Sequence, residues 1–116
     1  MNKDNDINFT IIRNIKLKKD IVTALADEIS RAILDSTIDK SKTVEDIIIE
    51  KNISHTSAYR KVNWLLSKQL LFIEQGEKNS INKSRFFRSR FRIILIHYRQ
   101  GVIEIEVKSN KKICEI

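Results

Sequence analysis

Residues 43–71 read TVEDIIIEKNISHTSAYRKVNWLLSKQLL, and two short helices joined by a tight turn account for nearly every residue in them. Thr43 and Asp46 stand in T-x-x-D spacing, a capping box that starts a helix over 44–51. Val44, Ile47 and Ile48 supply its buried side, and Glu50 and Lys51 end it. Asn52 follows, and asparagine tolerates the left-handed conformation that terminates helices. Ile53 is then an apolar plug between the helices, and Ser54 caps the next one. Cap, helix, left-handed residue, plug and second cap come in the order of a helix-turn-helix.

The second helix is expected over 54–69. On a 3.6-residue wheel Ala58, Val62, Leu65, Leu66 and Gln69 gather on one side. Thr56, Arg60, Asn63, Trp64 and Ser67 lie opposite, with Ser57 and Tyr59 flanking. In a major groove, Arg60 can read guanine and Asn63 adenine, while Ser, Thr and Tyr hydroxyls hold phosphates. The helix N-terminus, where His55 sits, attracts phosphate through its free amides. An ordinary amphipathic helix with a mixed polar face would carry much the same residues. Trp64 is unexpected opposite a core, and a partner, the wing or a DNA sugar could each receive it.

Charge favours the polyanion. The chain has 116 residues and a net charge of +7. Residues 1–50 hold 8 Lys/Arg and 10 Asp/Glu; residues 51–99 hold 11 Lys/Arg against Glu74 and Glu77; residues 100–116 balance. The whole excess therefore follows the turn of the helix-turn-helix, the footprint of a nucleic-acid binder.

The flanks complete an α+β domain. Residues 1–17 form an N-terminal arm in which Ile7, Phe9 and Ile11 alternate as in a short strand, one that pairs with the sheet or with a second subunit. A long first helix is expected over 18–36, with Asp20 as N-cap and an apolar stripe of Ile21, Val22, Leu25, Ala26, Ile29, Ala32 and Ile33. Asp27, Glu28, Arg31 and Asp35 are then solvated. The main domain spans 18–108, and 109–116 is a tail. Three helices followed by an antiparallel sheet of about three strands, a winged helix-turn-helix, is the expected fold.

The sheet is read from two glycines, Gly76 and Gly101, both at chain reversals. A wing is expected over 76–85, with Lys78, Asn79, Asn82 and Lys83 near its tip on phosphate or in the minor groove. Placing Gln100-Gly101 in a two-residue turn pairs Tyr98 with Ile103, Ile96 with Ile105 and Ile94 with Val107. The opposite face pairs His97 with Glu104 and Leu95 with Glu106. Arg88, Arg90 and Arg92 alternate with Phe87 and Phe91, as in a strand presenting arginines to solvent or phosphate. Residues 93–96 are apolar on both faces, which suits a central or doubly covered strand, with the helices on one side and a second subunit on the other.

Other chemistry is not expected. His55, His97 and Cys114 are dispersed and show no metal-ligand spacing. Two glycines cannot make a phosphate loop, and no nucleophile–base set is visible. No enzyme activity, cofactor or metal is therefore expected. No apolar run approaches the ~20 residues of a membrane span, and the first residues have no apolar signal core. A single cysteine suits a reducing compartment, so a cytoplasmic, nucleoid-associated protein is expected.

The residues ALADEISRAIL at 24–34, TVEDI at 43–47 and NISHTSAYRKVNWLLSKQLL at 52–71 resemble ArsR-type winged-helix regulators, in particular small archaeal ones. SRFFRSRFR and VIEIEVK are similar to the tails of some archaeal relatives. The resemblance implies a homodimeric transcription regulator binding double-stranded DNA. Its DNA-facing positions would be Thr56, Ser57, Tyr59 and Arg60, with Ser54 and His55 at the cap. The Cys-x-Cys pair of metal-sensing members is missing, and strands stand where the family has a C-terminal dimerisation helix.

A sequence-specific regulator is the leading expectation. Arg60 and Asn63 would read bases, and Lys78, Lys83, Arg85 and Arg88 would hold phosphates. One rival is a protein-interaction winged helix docking through strands 93–98 and Trp64. Another is a non-specific nucleic-acid binder of chromatin type.

Overall fold

A computed structural model describes residues 8–74 and 85–110. In chain order they form β1 (Thr10–Ile12), α1 (Ile15–Ala26), α2 (Glu28–Ser36), α3 (Val44–Lys51), α4 (His55–Ser67), β2 (Leu71–Ile73), β3 (Phe87–Ser89), β4 (Phe91–Arg99) and β5 (Val102–Ser109). The result is a small α+β fold: four helices, a three-stranded antiparallel sheet in the order β1-β5-β4, and a two-stranded sheet of β2 and β3.

The expected single helix over 18–36 is two helices, and it starts earlier. Asn14 is the N-cap, its Oδ1 accepting from the Leu17 amide at 2.8 Å; Asp20 lies inside α1. Asp27 breaks the run with extended backbone (φ −102°, ψ 122°), ending α1 and capping α2. Its Oδ2 accepts from the Ser30 amide at 2.9 Å and the Ser30 hydroxyl at 2.8 Å. Those bonds favour the carboxylate and hold the Asp27 pKa below the ordinary aspartate value. Asp27 is therefore no idle surface charge. Aspartate competes well for helix-starting amides, which is why the chain breaks there although the apolar stripe runs on.

The α3–α4 unit follows the sequence closely. Both halves of the Thr43/Asp46 capping box are present, Asn52 is left-handed (φ 56°, ψ 55°), and Ser54 accepts from the Ser57 amide at 3.2 Å. Ile47, Ala58, Val62 and Leu65 are buried, and Ile53 packs against the same core. Gln69 is not on the helix; it lies beyond α4 with positive φ, in the turn that leads to β2.

The β4–β5 hairpin has the register expected from alternation, with Tyr98 opposite Ile103, Ile96 opposite Ile105, Ile94 opposite Val107, His97 opposite Glu104 and Leu95 opposite Glu106. β1 joins the far side of β5, placing Ile12 opposite Ile105. The arm thus pairs with the chain's own sheet, although Ile12 and not Ile11 is buried. That pairing makes β5 central and leaves β4, expected to be central or covered on both faces, at an edge. The α1 helix is tied to β5 by Lys18 Nζ, which donates to the Ile103 carbonyl at 3.0 Å.

The run from Arg85 to Tyr98 is not one strand. It changes sheets at Arg90, whose amide donates to the Leu70 carbonyl and whose own carbonyl receives the Asn110 amide. β3 also exchanges two backbone bonds with Lys42, at 3.0 and 2.8 Å, so Lys42 adds a one-residue strand to the β2–β3 pair. Thr37 and Ser89, both buried, share a 2.9 Å hydroxyl contact and fasten the end of α2 to β3.

Candidate nucleic-acid interface

α4 presents its polar residues outward because its inner side is fixed. Ala58, Val62 and Leu65 are fully buried at 3.6-residue spacing, which turns Thr56, Arg60 and Asn63 to solvent. Their side chains make no hydrogen bond or ion pair among the described residues. Trp64 is half-buried and packs against the core, with Lys68 Nζ 5.9 Å from its ring centroid. Part of the ring is thus covered by the chain's own core, although the wheel sets Trp64 opposite the core positions.

The start of α4 is organised by an acid. Glu45, in the first turn of α3, accepts from the Tyr59 hydroxyl at 2.8 Å and lies 3.5 Å from His55 Nε2. The His55 and Tyr59 rings stack with centroids 6.3 Å apart. The carboxylate raises the Tyr59 pKa above the ordinary phenol value, because ionisation would give up the bond and set two negative charges together. Ser54 is committed to the cap, and Ser57 is half-buried beside it. Glu45 is the residue sequence reasoning missed. Its signal was available, since an acid at the start of one helix lies beside the start of the next in so tight a turn.

The cations of residues 51–99 are partly neutralised by acids from the first half of the chain. Lys51 meets Asp35 at 2.8 Å, Lys61 meets Asp27 at 3.3 Å and Arg92 meets Asp39 at 3.0 Å. Arg88, expected on phosphate, is largely enclosed. It donates to Glu74 at 3.2 Å, to the Ile38 carbonyl at 3.0 Å and to Asn110 Oδ1 at 3.3 Å. Arg90 donates to the Gln69 carbonyl. The expected row of outward arginines is therefore not there. Arg60 and Arg85 remain exposed, Arg85 with its guanidinium 5.3 Å from the Phe87 ring. Lys78 and Lys83, with the wing tip, lie outside the described residues.

Among the described residues, no three His, Cys, Asp or Glu side chains form a metal-binding group, and no helix is long and apolar enough to cross a membrane. Comparison with protein-family models, with curated proteins and with solved structures finds no match.

Proposed function

We propose that this chain is a winged helix-turn-helix transcription regulator of ArsR type that binds double-stranded DNA as a homodimer in the nucleoid. The observation that carries the reading is the capped α3–Asn52–α4 unit. It buries one side of α4 and leaves Thr56, Arg60 and Asn63 together on the other, exposed and uncommitted. The helix N-terminus adds its free amides at His55 and Thr56. In this reading α4 lies in the major groove, Arg60 and Asn63 read base edges, and Ser57, His55 and Tyr59 border the phosphates. Arg85 adds an exposed cation next to the segment 76–84, which lies outside the described residues. Arg88 is left out, because its donors are already used by Glu74, Ile38 and Asn110.

The test is selection of genomic fragments by the purified chain at moderate salt. Recurrent enrichment of one palindromic site is the expected result. Binding that disappears with salt and shows no preferred sequence would make the chain a non-specific binder instead.

A further inference from the structure

The open edge of β4 carries main-chain groups and apolar side chains that no described element covers. The turn residues Gln100 and Gly101 both have positive φ (53° and 80°), the two-residue geometry that closes on Arg99–Val102 as a hydrogen-bonded pair. Stepping back along β4 in twos, His97 and Leu95 turn their amides and carbonyls to β5. Tyr98, Ile96 and Ile94 turn theirs the other way, toward the edge where no described strand lies. The side chains there are apolar yet open to solvent: Ile96 is 42% and Tyr98 72% exposed. β4 is nine residues long, against the three of β1 at the other side of the sheet. Folded chains normally blunt an edge of this kind with charge, proline or a cover.

We infer that β4 pairs antiparallel with β4 of a second copy about a two-fold axis through Ile96, joining two sheets into one of six strands. The occupant must offer a strand with outward main-chain groups at alternate residues, and a second β4 offers them at matching positions. Centring on Ile96 uses all three outward residues. Ile96 meets Ile96 of the second copy, and Ile94 meets Tyr98 twice, once on each side of the axis. On the opposite face Leu95 meets His97 and Ile93 meets Arg99. No like charges oppose each other, and the register does not reach the irregularity between Phe91 and Ile93. The axis stands perpendicular to the sheet, so the helices of both copies lie on one side of it. A cleft of about 400 Å³ between α1, α2 and β4, with Ile21, Leu34 and Ile94 in its lining, opens beside this edge. It would then face the second copy. This deepens the homodimer part of the proposed function but does not depend on DNA binding.

Light scattering of the full chain at high micromolar concentration is expected to give a dimer. Ile96→Lys sets two ammonium groups opposite each other and should weaken self-association about tenfold or more. Tyr98→Lys, at a more exposed site, should do the same with the fold intact by circular dichroism. In a Cys114→Ser background, Ile96→Cys should join two copies through a short bismaleimide, and Ile11→Cys on β1 should not. A monomeric parent, or a dimer indifferent to both lysines and linked through Ile11→Cys, would overturn the inference. A dimer that fails to enrich any DNA site leaves this interface standing and removes the DNA reading; a monomer that selects a site does the reverse.

Discussion

The Tyr59 hydroxyl donates to Glu45 Oε2 at 2.8 Å, so the carboxylate that steadies α4 stands on the very side a DNA phosphate would approach. Both side chains are exposed, and a phosphate oxygen could replace the carboxylate as the acceptor. Glu45→Gln keeps an acceptor for Tyr59 and removes the negative charge. Affinity for DNA of arbitrary sequence should rise, measured by fluorescence anisotropy at low salt. In the same variant the Tyr59 phenol should titrate lower than in the parent, followed by ultraviolet absorbance. An unchanged affinity would place the phosphates away from α3.

Arg60 should carry base discrimination. Arg60→Ala is expected to cost about 1–3 kcal/mol of binding to a selected site and to relax preference at one base position. Lys83→Ala should instead weaken all sequences alike and lower the salt slope by about 1. Competition between the selected site and single-base variants of it separates the two effects.

Arg88 should matter for stability and not for DNA. Arg88→Met removes the donors to Ile38, Asn110 and Glu74 and is expected to destabilise the fold by roughly 1–3 kcal/mol in thermal melts. Below the lowered Tm, DNA affinity should match that of the parent. A selective loss of binding with no loss of stability would return Arg88 to the interface.

Asp27 should impose a pH dependence. Its folded pKa is lowered by the two Ser30 bonds, so its contribution is complete above the unfolded value near 4 and fades as pH falls through the folded value. Asp27→Ala should cost about 1 kcal/mol near neutral pH. Asp27→Asn keeps a capping oxygen and should remove this group's part of the acid-side loss. Urea midpoints measured at neutral and acid pH would distinguish the three proteins.

What could be read in advance was what the chain decides locally. Thr43, Asp46, Asn52 and Ser54 act within three or four residues of themselves, and each stands where its chemistry placed it. The hairpin register was legible for a related reason: a one-residue slip would set Ile96 against Glu104, so side-chain parity admits one solution. The break at Asp27 was hidden because Ile21, Ala24 and Ile33 stay on one buried side across it. The edge position of β4 depends on which side of the hairpin β1 joins, and three residues of arm carry little periodic signal. The arginine row misled because alternation identifies a face only within one sheet, and Arg88 and Arg92 belong to two. Charge divided along the chain was rejoined in space when Asp27, Asp35 and Asp39 met Lys61, Lys51 and Arg92.

The pairing of β1 with β5 brings Thr10 opposite Val107. Closing so long a loop is slow, and it cannot begin until β5 has left the ribosome. The helices need no such wait, because α1 to α4 contact one another within the first half of the sequence and a little beyond. During synthesis the helical layer can therefore form first, with β1 held back as an unpaired strand. The β4–β5 hairpin closes through its own two-residue turn and can likewise form early, so the joining of β1 to β5 is the one pairing in this sheet that must wait for both ends of the domain.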